Sequence, residues 1–174
     1  MFRARHLIAI AAVGAALTAC ETVPMDGYGP GPGYGPGASS SAFRAADFDW
    51  STRAGRASID GRVDFRRDGQ AFTCNSTVAL TPDTPYTRAR FQTLYGSTTR
   101  AAIPEAIVRA RTVADPNADY RSFVRSTQCQ DGRFEFTGLP DGNWFVITPV
   151  SAGGDRVVLM RNVSTRGGRV AVVL

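Results

Sequence analysis

The side chains able to do chemistry are unevenly supplied along this 174-residue chain. There are three cysteines (Cys20, Cys74 and Cys129), one histidine (His6) and no lysine, against twenty arginines and fifteen aspartates and glutamates. Histidine is the usual general base near neutral pH and a common zinc ligand. Beyond position 6 the chain has no imidazole, which excludes Ser-His-Asp and Cys-His nucleophile systems. The missing lysines exclude lysine bases and Schiff bases. A carboxylate pair is the remaining route to acid–base catalysis. The tightest such spacing is Asp47-Phe48-Asp49, which reads instead as polar flanking of buried aromatics. The expectation is therefore no catalytic residue, no metal site and no cofactor.

The cysteines have different settings. Cys20 ends the run "LIAIAAVGAALTAC", preceded by Arg3 and Arg5. Leu7 to Leu17 is too short to cross a bilayer, which needs about 20 apolar residues. A charged start, a short apolar core and small residues at the end mark a secretory signal peptide, residues 1–19. Leu17-Thr18-Ala19-Cys20 resembles a bacterial lipobox. That resemblance implies cleavage before Cys20, acylation of its sulfur and new amino group, and stable attachment to a membrane. Glu21 is not the Asp that retains such proteins in the inner membrane, so the expected address is the outer membrane, facing the periplasm. Residues 20–42, with "GYGPGPGYGPG" and "ASSSA", read as the lipidated cysteine and a disordered Gly/Pro/Tyr/Ser tether with a reach of roughly 25 Å. In an oxidising compartment Cys74 and Cys129 are most simply a disulfide, the alternative being two buried free thiols. The closed loop of about 56 residues is worth about 4 kcal/mol in the chain-entropy model.

Residues 43–174 remain as one domain, large enough for a real core. Between 86 and 125 seven arginines face three acidic residues, an excess of four positive charges. This segment could meet anionic lipid, lipopolysaccharide phosphate or an acidic protein face, or simply be a solvated mixed-charge surface. The candidate partner surface is Arg88, Arg90 and Arg109, with Tyr86, Phe91 and Tyr95 supplying aromatic contact. The alternative for those rings is packing over the edge of the domain. Nucleic acid is not an expected partner of an exported, tethered chain.

The elements that must position these residues are strands. In "ASIDGRVDFR" Ala57, Ile59, Gly61, Val63 and Phe65 share one face, the period of a half-buried strand. Asp68-Gly69 predicts a hairpin turn, followed by "AFTCNSTVALTP" as a second strand. "RFEF" alternates, "GLPDG" turns, and "NWFVITPV" is apolar on both faces, as a central strand is. "RVVLMRNVST" and "RVAVVL" predict two more strands. Short strands between frequent turns predict a sandwich or barrel. Residues 86–125 read as an insertion with one or two short helices, although "AIVRARTV" also alternates like a strand.

"ASIDGRV", "VALTPDTPY" and "DGRFEFTGLPDGNWFV" together resemble the carboxypeptidase regulatory-like, transthyretin-like (prealbumin-like) family. The matching positions are Gly61, Val63, Val78, Leu80, Asp131, Gly132, Phe134, Phe136, Leu139, Pro140, Gly142, Trp144 and Val146. The resemblance implies a mainly β fold, a single antiparallel β-sandwich of about seven strands with a partly helical insertion. Within the motif Asp131-Gly132 closes a hairpin and Gly142 permits a backbone reversal before Trp144, and the resemblance implies a non-enzymatic binding or structural module. The leading expectation is a lipid-anchored outer-membrane module that contacts another envelope protein or a glycan. The rivals are a carboxylate-dependent glycan hydrolase and a structural envelope protein with no specific ligand.

Overall fold

A computed structural model describes residues 42–113 and 119–174. Cys20, the signal sequence, nearly all of the tether and Asp115 lie outside the described residues.

Among the described residues, ten strands and two α-helices follow a 3-10 segment at Ala45–Thr52. They are β1 (Ala57–Arg62), β2 (Arg66–Arg67), β3 (Gln70–Ala71), β4 (Thr77–Pro82), α1 (Pro85–Tyr95), β5 (Arg100–Pro104), α2 (Glu105–Ala110), β6 (Arg125–Gln128), β7 (Arg133–Leu139), β8 (Gly142–Ala152), β9 (Asp155–Thr165) and β10 (Arg169–Val173). A second 3-10 segment, Asp119–Phe123, precedes β6. The fold is a β-sandwich. One sheet has the order β10-β1-β7, the other β5-β9-β8-β4-β6, and β2-β3 is a small separate hairpin.

The period-two reading of β1 holds. Ala57, Ile59 and Gly61 are buried, while Ser58 and Asp60 are only half-covered and Arg62 is exposed. Across the sandwich they meet Leu80, Trp144, Val146, Val157 and Leu159 in one core. β8 and β9 bury both faces, as predicted for "NWFVITPV". Their second face carries Phe145, Val158 and Met160, and α1 covers it with Phe91 and Tyr95. Both Asp-Gly turns form as expected: Asp68 and Gly69 have φ of 51° and 78°, and Asp131 and Gly132 have 50° and 71°. Positive φ at both central residues gives the twist that a tight hairpin needs.

Three expectations are corrected and one open reading is decided. The sheets hold more strands than seven, because residues 86–125 are not set apart from them. That segment supplies β5 and leads into β6, the two edge strands of the larger sheet. Of the two readings of "AIVRARTV" the helix holds, since Glu105–Ala110 is α2. The strand expected from "AFTCNSTVALTP" breaks between Ala71 and Thr77, where Thr73 bridges to Ser151 and Cys74 turns inward. The sandwich is not wholly antiparallel, because β1 runs parallel to β10 from Ser58↔Arg169 to Arg62↔Val173. Cys74 and Cys129 are joined as a disulfide, with 5.8 Å between their Cα atoms. It ties the approach to β4 to the end of β6, where Cys129 N–H also donates to Ser76 O at 2.9 Å.

Two strand glycines are required by close approach. Gly61 pairs with Phe134, and a Cβ there would fall 1.9 Å from the Phe134 ring. Gly142 was expected to permit a backbone reversal. Its φ is not in the left-handed region; Trp50 lies on it instead, and a Cβ would fall 2.1 Å from that ring. The left-handed residue of this corner is Gly138, with φ 66°.

The Gly61–Phe134 contact makes Gly61→Ala an overpacking change, expected to lower stability by about 1–3 kcal/mol in urea unfolding. Phe134→Leu in the same background should recover part of that loss, and independent additive effects would refute the contact. Burial pushes the Tyr95 phenol up to about 12, with Tyr120 adding to the shift and Arg90 opposing it. A raised pKa means that the folded state holds the proton more tightly. The associated stability is full below the unfolded value of about 10 and is lost as pH rises towards 12. Ultraviolet titration should show one late tyrosinate step in this range, absent in Tyr95→Phe.

Candidate functional site

The residues singled out between 86 and 125 do not form one contact surface. α1 starts at the Thr84 cap, whose Oγ1 accepts from Thr87 N–H at 3.2 Å, while Thr87 Oγ1 accepts from Thr84 N–H at 2.9 Å. This helix turns Thr87, Phe91 and Tyr95 inward, four residues apart on one stripe. Phe91 meets Phe145 edge-on at 4.8 Å and Tyr95 at 5.4 Å. Tyr86 is buried in a different cluster, with Phe43, Phe48 and Tyr120. The expected aromatic contact of Tyr86, Phe91 and Tyr95 is thus corrected: the three rings are 6%, 3% and 8% exposed and belong to the core.

The arginines are mostly occupied. Arg88 Nη2 donates to the buried Asp83 carboxylate at 2.5 Å, and Asn162 Nδ2 donates to the same oxygen at 2.9 Å. Arg90 is half-buried with its guanidinium 5.0 Å from the Tyr120 ring centroid. Arg109 and Arg156 both reach Glu105, and Arg67 pairs with Asp155 at 3.1 Å. Glu105 and Asp155 line one cleft beside the β8–β9 turn, with Arg109 and Arg156. The Arg109 guanidinium holds the Glu105 carboxyl below the usual carboxylate range. A general acid of glycoside hydrolysis needs the opposite shift.

A second cleft, of about 430 Å³, opens at the far end of β8 and has a different character. Its wall begins with the 3-10 segment Ala45–Thr52. Ser51 Oγ donates to Phe48 O at 2.8 Å and Thr52 Oγ1 to Asp49 O at 2.9 Å, so the hydroxyls close the last turn locally. Phe48 anchors the segment from beneath, fully buried and stacked on Phe123 at 4.8 Å. Arg125 pins it from the side. Its Nη2 donates to Ser51 O at 2.8 Å and its Nη1 to Gly138 O at 3.4 Å, with the guanidinium 5.7 Å from the Trp144 ring centroid.

Trp50 is thereby held half-buried, edge-on to Trp144 at 4.8 Å and resting on Gly142. Trp144 is fully buried, and its Nε1–H donates to Thr165 Oγ1 at 3.2 Å. Thr165 Oγ1 donates in turn to Pro140 O at 2.8 Å. After Trp50 the chain presses against the β7 end: Gly55 N–H donates to Gly138 O at 3.3 Å, and a Cβ on Gly55 would fall 1.9 Å from Leu139 O. That close approach fixes the backbone between Arg53 and Arg56, whose side chains line the cleft and are exposed. Across from them lie Pro140, Asp141 and Gly167. Asp141 Oδ1 accepts the Gly167 N–H, joining the β7–β8 and β9–β10 turns.

The cleft therefore offers a flat indole, two guanidiniums and one carboxylate on a rigid frame. Sequence reasoning missed it. Its parts are more than eighty residues apart and meet only because the sandwich brings the 50–56 segment, Asp141 and Gly167 to one end. The local signals were the Trp50 that follows Asp47-Phe48-Asp49, and the Asp of "GLPDG".

No protein-family model matches the chain, and no curated protein matches it. Among solved structures it is similar to the crystal structure of a candidate carbohydrate-binding protein from Pseudomonas aeruginosa. The TM-score is 0.52 at 19% identity, over 76% of this chain and 97% of that one. At this identity the likeness is one of fold.

Proposed function

We propose that this chain is a lipid-anchored protein of the bacterial outer membrane, facing the periplasm, whose β-sandwich binds an envelope glycan without turning it over. The observation that carries the binding reading is the Trp50 cleft. A pyranose presents an apolar C–H face and a rim of hydroxyls. A half-buried indole matches the first, while Arg53, Arg56 and the Asp141 carboxylate supply donors and acceptors for the second. The candidate carbohydrate binder of similar fold supports the same reading.

A non-catalytic role is supported by chemistry. The cleft is lined by one carboxylate, Asp141, where glycosidases use two. The carboxylates that share the other cleft, Glu105 and Asp155, are each held by guanidiniums. The anchor rests on Cys20 and the lipobox-like residues before it, and the carboxypeptidase regulatory-like motif is the reading of the scaffold.

Cys20→Ser should abolish palmitate labelling in the native host and move the protein from the membrane to the soluble fraction. Unchanged fractionation would reject the anchor. The same soluble variant, titrated with envelope saccharides, should change its tryptophan fluorescence on binding. Trp50→Ala, once shown to be folded by circular dichroism, should weaken that binding at least about tenfold. A protein that retains no saccharide would reject the glycan reading.

A further inference from the structure

Arg53 and Arg56 differ from the arginines around them. Arg44 pairs with Asp47 at 2.6 Å, Arg125 donates to Ser51 O and Gly138 O, Arg166 Nη1 donates to Thr165 O at 2.8 Å, and Arg169 pairs with Asp60. Among the described residues no hydrogen bond or ion pair occupies the Arg53 or Arg56 guanidinium, although both line the same cleft. The single carboxylate opposite them, Asp141, already has Oδ1 engaged by the Gly167 N–H. Two positive charges thus share a concave site with one partly engaged negative charge.

The backbone between them is not free to carry them away. Gly55 is pressed onto Leu139 O with no room for a Cβ, and its N–H is bonded to Gly138 O. The two guanidiniums stand three residues apart, on either side of that fixed point. Guanidiniums match carboxylate and phosphate oxygens with paired donors, and such charge-assisted bonds are about twice as strong as neutral ones. A neutral sugar would leave both charges without a counter-ion.

We infer that the cleft selects an acidic saccharide: a pyranose stacked on Trp50, with a carboxylate or phosphate group set between Arg53 and Arg56 and a hydroxyl donated to Asp141. This rests on the glycan-binding reading above and adds to it the charge of the ligand. Carboxylate and phosphate present the same oxygen chemistry to a guanidinium, so uronic acids and sugar phosphates are its two sources.

The test is calorimetric titration of the Cys20→Ser chain with four probes: trigalacturonate, glucose 1-phosphate, neutral maltotriose and inorganic phosphate. At least one acidic probe should bind about tenfold more tightly than maltotriose, and that preference should shrink as sodium chloride is raised. Whichever acidic probe wins identifies the source. Both arginines are exposed, so Arg53→Gln/Arg56→Gln should fold normally. It should lose the preference by weakening the acidic probes far more than maltotriose, and Trp50→Ala should weaken all three saccharides. Equal binding of acidic and neutral probes, or no effect of the double arginine variant, would overturn the acidic assignment and leave glycan binding standing. Binding of inorganic phosphate as tight as that of the acidic saccharides, insensitive to Trp50→Ala, would also overturn it by showing an anion site alone. No binding of any saccharide would overturn both readings.

Discussion

The indole of Trp144 is where the separate parts of this molecule are made to agree. It is fully buried between the sheets, so its N–H must find a partner inside the protein, and Thr165 on the neighbouring strand provides one. A buried donor left unpaired costs about 1–3 kcal/mol, which ties the register of β8 and β9 to this hydrogen bond. The same ring sets the edge against which Trp50 rests and the face towards which Arg125 is drawn. The position of the N-terminal segment, and with it the Trp50 cleft, follows from how one side chain is satisfied.

The cation chosen throughout is arginine, and much of it is used structurally. Arg125 bonds two carbonyls and a ring, Arg111 Nη1 donates to Leu94 O at 2.6 Å, and Arg161 Nη1 donates to Val173 O at 2.6 Å. A planar guanidinium has five donors and can close strand and helix ends that an ammonium would serve less well. This is why the positive excess between 86 and 125 is a poor guide to a binding face. Charge counts do not separate a guanidinium that clamps the backbone from one that waits for a ligand. Arg53 and Arg56, outside that segment, are of the second kind.

What could be read from residue order was local. The alternation in Ala57–Phe65, the two Asp-Gly turns, the doubly apolar β8 and the Cys74–Cys129 pair all express short-range sterics or simple parity, and each is found in the fold. The burial of Phe91 and Tyr95 was legible too, since they continue the stripe of Thr87 at four-residue spacing, but Arg88 and Arg90 just before them drew the reading outward. What could not be read was pairing at a distance. Nothing in "RAAIP" announces an edge strand beside β9, and nothing in "RVAVV" announces a parallel partner for β1. The Trp50 cleft belongs to the same class: each of its residues is unremarkable in its own stretch.

The parallel pairing of β1 with β10 has a kinetic consequence. β1 lies at the middle of its three-stranded sheet, and one of its neighbours is the last strand, Arg169–Val173. That ladder joins Ser58 to Arg169, far apart in the chain, and closing so long a loop is slow. The three-stranded sheet therefore stays incomplete until β10 docks beside β1.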